Sequence, residues 1–303
     1  MKKTVLYGDR ANVSLSQNIA RELHLPLFYP EIHVFPDGEK RVRIVEEVVG
    51  HDILILKSFS APVDTNILEF LFTVDALKRA GTNSVIAIIP YLAYQRADHV
   101  FRSGEAVPLS VIVSLIEKAG IDSCVILEPH SIKTPEIFTI PVTHVSAIPL
   151  FAEKISSMFQ NFSQVSVVSP DMGGIRRVKQ LVDLLPGVTW AAVNKDRDLV
   201  SGNINATHHT GDISPICVIV DDICSTGKTI VQAANYLSRQ GAREVYCFCT
   251  HAVFSDDATS ILQSANLKKI CITDSLSVSS EKQFDTLETI SVASLLANHI
   301  NRK

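Results

Sequence analysis

The sequence has no large excess of charge of one sign, since its 303 residues carry 28 basic and 32 acidic side chains for a formal net charge of -4. We therefore expect no sequence-wide attraction to nucleic acid or to an anionic membrane, so any bound anion must be met locally. The sequence also has no long apolar segment of the kind that a signal peptide or a membrane span requires. It predicts a cytoplasmic protein without a nucleic-acid or membrane partner.

The six cysteines form no CxxC pair and have no nearby histidines at the spacing of a zinc site. Several of them lie inside apolar runs of the sequence. We interpret all six as reduced cysteines of the hydrophobic core rather than as metal ligands.

Short apolar runs rich in valine and isoleucine recur along the chain and predict strands. Because these runs are continuous rather than alternating, the strands are expected to be buried on both faces of a sheet. The predicted strands are 5–8, 53–56, 85–89, 124–127, 165–168, 217–220, 245–249 and 270–273. Amphipathic stretches between them predict helices at 66–80, 109–119 and 230–240. This alternation predicts an α/β protein whose mainly parallel sheets are flanked by helices.

A boundary between two domains is predicted near residue 147. The segment 139–148 contains a proline and has weak periodicity, and a new series of strand and helix patterns follows it. Hydrophobic residues make up 46 % of the chain, and its length is typical of about two domains. Both halves show the same alternation without a short sequence repeat, so the sequence predicts two similar domains, 1–147 and 148–303.

The segment 216–230 combines a buried strand, two acids, a small polar turn and the start of a helix. The turn consists of Ser225, Thr226, Gly227, Lys228 and Thr229. Hydroxyl and backbone N–H groups at a helix N-terminus favour a phosphate. The segment is not a Walker A loop, which would need glycine in place of Asp222. Asp221 and Asp222 would repel a triphosphate but can accept hydrogen bonds from a sugar diol, so we predict a site for ribose 5-phosphate.

Polar side chains follow three other predicted strands directly. Arg96 follows the strand 85–89, His130 follows 124–127, and Asp171 follows 165–168. Because open parallel sheets bind ligands at the carboxyl ends of their strands, these groups are candidates for one ligand crevice.

Segment 216–230 resembles the phosphoribosyl-pyrophosphate loop that phosphoribosyltransferases share with ribose-phosphate pyrophosphokinases. Other segments resemble the pyrophosphokinases over nearly the whole chain, namely FPDGE in 34–44, YQRAD in 89–105, LEPHS at 127–131, SPDMGG in 167–179 and CTHAVF at 249–254. The resemblance implies two domains similar to type I phosphoribosyltransferases. It also implies transfer of the pyrophosphoryl group of ATP to the C1 hydroxyl of ribose 5-phosphate, with Mg²⁺ as cofactor.

The resemblance further implies roles for individual residues. The residues expected to bind ATP are Phe35, Asp37, Glu39, Arg96, Asp98 and His99. His130 and Asp171 match the magnesium ligands, and the carboxylate is the ligand that Mg²⁺ prefers. Lys195 and Arg197 match the catalytic cations, and the polar stretch 196–212 predicts a loop next to them. The family is built from dimers, so a homo-oligomer is expected.

Two alternative functions remain open. A phosphoribosyltransferase would share the loop 221–229, but it would give no reason for the FPDGE and YQRAD motifs. A non-catalytic regulatory subunit that binds active copies would be favoured by loss of the cations Lys195 and Arg197, which this sequence retains.

Replacing Lys195 by alanine is expected to lower turnover far more than nucleotide affinity, because a cation at this place neutralises charge that develops on the transferred group. Steady-state kinetics with ATP and ribose 5-phosphate measure both quantities. Near-normal turnover in Lys195→Ala would refute the assigned role.

Overall fold

The computed structural model describes residues 3–197 and 204–300, and for 195–197 and 204–207 the description is of the backbone only. The chain divides by its internal contacts into two units. The first unit contains residues 1–145, 275–277 and 292–303, and the second contains 146–274 and 278–291. Each unit is built around one large sheet.

The described residues form the following strands and helices. The strands are β1 (Thr4–Tyr7), β2 (Leu27–Phe28), β3 (Glu31–Val34), β4 (Lys40–Arg43), β5 (Asp52–Leu56), β6 (Ser84–Ile89), β7 (Ser123–Leu127), β8 (Val142–Val145), β9 (Val165–Ser169), β10 (Thr189–Arg197), β11 (Ile204–Gly211), β12 (Ile216–Cys224), β13 (Glu244–Ala252), β14 (Lys269–Thr273) and β15 (Leu287–Ile290). The helices are α1 (Val13–Leu23), α2 (Val63–Arg79), α3 (Pro108–Ala119), α4 (Ile148–Met158), α5 (Ile175–Asp183), α6 (Lys228–Arg239), α7 (Ala258–Gln263) and α8 (Ala293–Ile300). Within this part of the chain, no helix has the length and apolar character needed to cross a membrane.

The sheet of the first unit has six parallel strands in the order β2-β1-β5-β6-β7-β8. The strands β3 and β4 form a separate antiparallel hairpin. The sheet of the second unit has the order β11-β10-β9-β12-β13-β14-β15, and its one antiparallel pairing in the described residues is between β10 and β11. In both sheets the carboxyl ends of neighbouring parallel strands therefore meet at one edge.

Local sequence explains where several helices begin and end. The Asn12 side chain accepts a hydrogen bond from the Leu15 N–H at 3.3 Å and so caps the start of α1. α3 begins with Pro108, whose missing N–H costs nothing in the first turn of a helix. It ends at Gly120, where φ is +111° and glycine is the residue without a steric penalty.

The structure confirms the predicted fold class. All eight predicted apolar runs are strands of the two sheets, and the three predicted helices are α2, α3 and α6. The central strands are buried on both faces, with Ile53, Val85 and Val125 in the first unit and Val168 and Ile219 in the second. All six cysteines are buried and free of disulfide bonds.

The last helix corrects the predicted assignment of 148–303 to a single domain. α8 packs against α1, β7 and β8 of the first unit, with Leu296 fully buried. The Ser294 hydroxyl donates a hydrogen bond to Glu22 at 2.8 Å in the same contact. The helix has an apolar face that needs a partner, and the first unit provides it.

The predicted loop at 196–212 is also corrected in part. Residues 204–211 form β11, which pairs with β10 up to Arg197 opposite Ile204. Antiparallel pairing satisfies the backbone groups of this polar segment in spite of its low apolar content. Residues 198–203 lie outside the described part of the chain.

Replacing Leu296 by alanine is expected to lower the free energy of unfolding by about 2–5 kcal/mol, because it leaves a cavity beside the buried face of α8. Asn298→Ala on the exposed face of the same helix should change it by no more than about 0.5 kcal/mol. Urea unfolding of both variants measures the difference, and equal midpoints would contradict the packing of α8.

Candidate active site

Three carboxylates lie at the carboxyl ends of two neighbouring strands of the second unit. Asp221 and Asp222 belong to the last part of β12, and Asp171 comes two residues after β9. β9 pairs in parallel with β12, so both strands deliver their acids to the same edge of the sheet. The structure thus brings together three of the predicted site residues of this unit.

Arg177, near the start of α5, is the cation that faces the two acids of β12. Its Nη2 lies 3.3 Å from Oδ2 of Asp222, and its Nη1 lies 3.9 Å from Oδ1 of Asp221. Burial, and then repulsion from the Asp222 carboxylate, holds the pKa of Asp221 well above its ordinary value, although Arg177 opposes the shift. Among the described side chains, one guanidinium thus faces two carboxylates. The hydroxyl groups of a ligand can donate hydrogen bonds to these carboxylate oxygens without adding negative charge.

Sequence reasoning missed Arg177. The indication was present in SPDMGGIRRVK, where an arginine pair follows Asp171 at the start of an amphipathic helix. The sequence shows that Arg177 is charged, but it does not show whether the side chain is buried at a site or exposed to solvent. The fold makes the distinction, because the Arg177 side chain is only 11 % exposed.

The turn between β12 and α6 is held by the segment that follows β13. The carbonyl oxygen of Cys224 accepts hydrogen bonds from the N–H groups of Val253 and Phe254 at 3.0 and 3.1 Å. The Ser255 N–H donates to the Ser225 carbonyl at 3.0 Å, and the two serine hydroxyls lie 3.1 Å apart. Burial raises the pKa of the Cys224 thiol to about 12, so this group stays protonated and is not a nucleophile.

Glycine is required at Gly227 for two reasons. The residue has φ of +73°, a left-handed conformation that side chains disfavour. A Cβ atom there would also lie 2.9 Å from Cγ of Leu262 in α7. The position therefore excludes other residues without a shift of the turn or of α7.

The N-terminus of α6 has no side-chain cap, because Gly227 stands at the cap position. The first N–H groups of a helix have no partner inside the helix, and together with the helix dipole they favour an anion. Lys228 is exposed, while Ser225, Thr226 and Thr229 are half-buried. This arrangement suits a phosphate group close to the Asp221–Asp222 pair.

The carboxylate of Asp171 is held in one orientation. Its Oδ1 accepts a hydrogen bond from the Gly173 N–H at 3.0 Å, and the Ser169 hydroxyl donates to its carbonyl oxygen at 2.6 Å. Gly174 leaves this turn room, since a Cβ there would lie 2.5 Å from Oγ of Ser169. No group of three or more His, Cys, Asp or Glu residues within the described chain can hold a metal ion. Asp171 has a half-buried carboxylate, the type of oxygen donor that suits an ion such as Mg²⁺ that keeps most of its waters.

In the first unit, the loops that follow β6 and β7 are joined through Gln95. Oε1 of Gln95 accepts a hydrogen bond from the His130 N–H at 2.8 Å, and Gln95 is 1 % exposed. The exposed Arg96 and His130 therefore lie on two connected loops at one edge of the sheet. Nδ1 of His99, next in this loop, lies 2.6 Å from Oδ1 of Asp98.

The remaining residues expected to bind ATP lie at the tip of the hairpin β3–β4. The Phe35 N–H donates to the Glu39 carbonyl at 2.8 Å, and the Glu39 N–H donates to Oδ1 of Asp37 at 3.0 Å. Phe35 is 38 % exposed and has the His33 ring at 4.7 Å and the Arg41 guanidinium at 5.9 Å from its centroid. The tip therefore presents an aromatic face and two acids to solvent.

Lys195 and Arg197 belong to β10, beyond a bulge between Asn194 and Lys195. Their side chains lie outside the described part of the structure. Their predicted roles therefore stay predictions.

Two family models match the chain. The model described as the N-terminal domain of ribose phosphate pyrophosphokinase matches residues 4–120, and the phosphoribosyl synthetase-associated domain matches residues 203–303. A ribose-phosphate pyrophosphokinase of Fusobacterium nucleatum is 35 % identical over 298 residues, which cover 98 % of this chain and 94 % of that protein. The chain belongs to the ribose-phosphate pyrophosphokinase family.

Further relatives agree with this membership. The chloroplastic ribose-phosphate pyrophosphokinase 2 of Arabidopsis thaliana is 37 % identical over 302 residues, which cover 99 % of this chain and 75 % of that protein. The crystal structure of phosphoribosylpyrophosphate synthetase from Mycobacterium smegmatis has a TM-score of 0.91 and 32 % identity. That match covers 99 % of this chain and 98 % of the other. The resemblance inferred from the motifs is thereby confirmed.

Gly227→Ala is expected to cost more stability than Gly241→Ala, although both glycines have positive φ. The backbone strain of about 1–3 kcal/mol is common to both, but a Cβ at Gly241 meets no atom within 4 Å while one at Gly227 meets Leu262. Thermal unfolding of the two variants measures the difference. Equal melting temperatures would show that the turn and α7 can separate freely.

Proposed function

We propose that the chain transfers the pyrophosphoryl group of ATP to the C1 hydroxyl of ribose 5-phosphate, which yields 5-phospho-α-D-ribose 1-diphosphate and AMP. The observation that supports it best is the Asp221–Asp222 pair, which leads directly into an uncapped helix N-terminus. Acceptors for a diol next to a phosphate cradle match the two ends of ribose 5-phosphate. Family membership supports the same reaction.

The second unit is proposed to hold the sugar substrate. Its 5-phosphate would bind the turn, through the residues Ser225, Thr226, Gly227, Lys228 and Thr229. The ribose hydroxyls would donate to Asp221 and Asp222, the two carboxylates that Arg177 faces. Because these acids come from a strand and the turn is held by the segment that follows β13, the C1 hydroxyl would be presented in a fixed direction.

The first unit is proposed to supply the ATP contacts. Phe35 offers a flat face for adenine, and Asp37 and Glu39 can accept hydrogen bonds from its amine. Arg96 can bind phosphate oxygens with its fork of N–H donors, and Asp98 and His99 lie in the same loop. Because the hairpin tip is exposed, its contacts with nucleotide could be made to a second copy of the chain in the expected homo-oligomer.

Asp171 and His130 are the residues proposed to contact Mg²⁺. When bound to the phosphates, this ion would neutralise charge and orient the chain of phosphorus atoms. Lys195 and Arg197 would place further positive charge on the transferred group. The C1 hydroxyl oxygen attacks the β-phosphorus and gives up its proton to solvent. The bond from that phosphorus to the oxygen bridging to the α-phosphorus breaks, and AMP leaves with that oxygen and its electron pair.

The experiment that tests this function follows phosphorus species by NMR in a mixture of the purified protein, ATP, ribose 5-phosphate and Mg²⁺. We expect AMP and a sugar 1-diphosphate to appear together, and neither to appear when ribose 5-phosphate is omitted. ADP with a singly phosphorylated sugar product would contradict the proposal and indicate an ordinary kinase. No reaction with ATP or with other donors would instead favour the non-catalytic subunit.

A further inference from the structure

We propose that Glu69 of α2 is a positioning residue that anchors the nucleotide-binding hairpin to the sheet through Lys40 and Lys57. The inference rests on the proposed function for the role of the hairpin in ATP binding. The anchor itself is a property of the first unit and is argued from its charges.

Four charged side chains form a chain from the sheet to the hairpin. Nζ of Lys57 lies 3.2 Å from Oδ1 of Asp9 and 3.6 Å from Oε2 of Glu69. The other oxygen of Glu69 accepts a hydrogen bond from Nζ of Lys40, the first residue of β4. Glu69 is therefore the only described residue that bonds both to the sheet edge at Lys57 and to the hairpin at Lys40.

The sheet end of this chain is rigid. Asp9 is 1 % exposed. One of its carboxylate oxygens accepts a hydrogen bond from the Ala11 N–H at 2.9 Å, and the other accepts one from the Ser58 N–H at 3.0 Å. Lys57 is itself buried directly after β5. A buried lysine needs acidic partners to stay charged, and both Asp9 and Glu69 provide them.

The hairpin has few other contacts that could hold it. Residues 33–39 are all exposed, and only Ile32, Lys40 and Val42 on the inner face of the two strands are half-buried. β4 packs on α2 through this inner face. With so little apolar area available, the ion pair of Lys40 with Glu69 supplies a large part of the restraint on the tip. The direction of Phe35, Asp37 and Glu39 then depends on Glu69, although Glu69 does not itself belong to the tip.

The variant Glu69→Gln removes the charge and keeps the size of the side chain. We expect the KM for ATP to rise by about tenfold, while kcat and the KM for ribose 5-phosphate change by less than about twofold. We also expect hydrogen exchange in residues 31–43 to become at least about threefold faster, because fewer restraints hold the hairpin. Mass spectrometry of the peptides that span it measures this exchange without any substrate.

Two further variants separate positioning from a general loss of stability. Asp75→Asn breaks the exposed pair of Asp75 with Arg79 on the same helix, where the two side chains lie 2.7 Å apart, and should alter neither exchange nor KM. Lys40→Met removes the hairpin end of the anchor without disturbing the buried sheet edge. The double variant with Glu69→Gln should show no larger effect than the stronger single variant, because both remove one interaction.

Unchanged exchange of the hairpin in Glu69→Gln would overturn the anchor. Faster exchange with an unchanged KM for ATP, or a loss confined to kcat, would overturn its role in nucleotide binding. If the unmodified protein makes no sugar diphosphate, the proposed function fails, and the exchange measurement still decides whether Glu69 holds the hairpin.

Discussion

The parallel pairing of β9, β12 and β13 determines where the groups of the second unit lie. Asp171 follows the first of these strands, and Asp221 and Asp222 end the second. The segment after the third strand holds the turn at Ser225 by backbone hydrogen bonds. Because all three strands run in one direction, residues separated by about fifty positions in the chain share one edge. The candidate substrate groups depend on that pairing more than on any contact between themselves.

The buried charged groups of the two units differ in their partners. The group around Lys57 has a structural role, whereas the group around Asp221 is a candidate for binding a ligand. Around Lys57 the charges balance, since two lysines meet Asp9 and Glu69. In such a group each buried charge has a partner of opposite sign, and the ion pairs restrain the hairpin. Around Asp221, two carboxylates face Arg177 among the described side chains, and the pKa of Asp221 is raised by burial and by the Asp222 carboxylate. Such carboxylates can accept hydrogen bonds from the donors of a ligand, although their burial lowers the stability of the fold.

Much of the fold follows from patterns that the sequence shows openly. The short, continuous apolar runs of the central strands are rich in valine and isoleucine, which favours buried strands. The edge elements were not predictable in this way. β11 is polar and holds its place by pairing with β10, and α8 has an ordinary amphipathic pattern that does not say which unit it will cover. In both cases the deciding contacts are distant in sequence.

The sequence by itself determined the fold class, the motif residues and the family, because these depend on local patterns and on the order of chemical groups along the chain. Only the tertiary structure decided that Arg177 faces the acids, that Gln95 joins the Arg96 and His130 loops, and that Glu69 links the hairpin to the sheet. Arg177 and Gln95 lie within or next to quoted motifs, but the sequence does not show which partners these residues or Glu69 contact. A charged or amide side chain acquires its role from burial and from its partners, and both are set when distant strands and helices pack together.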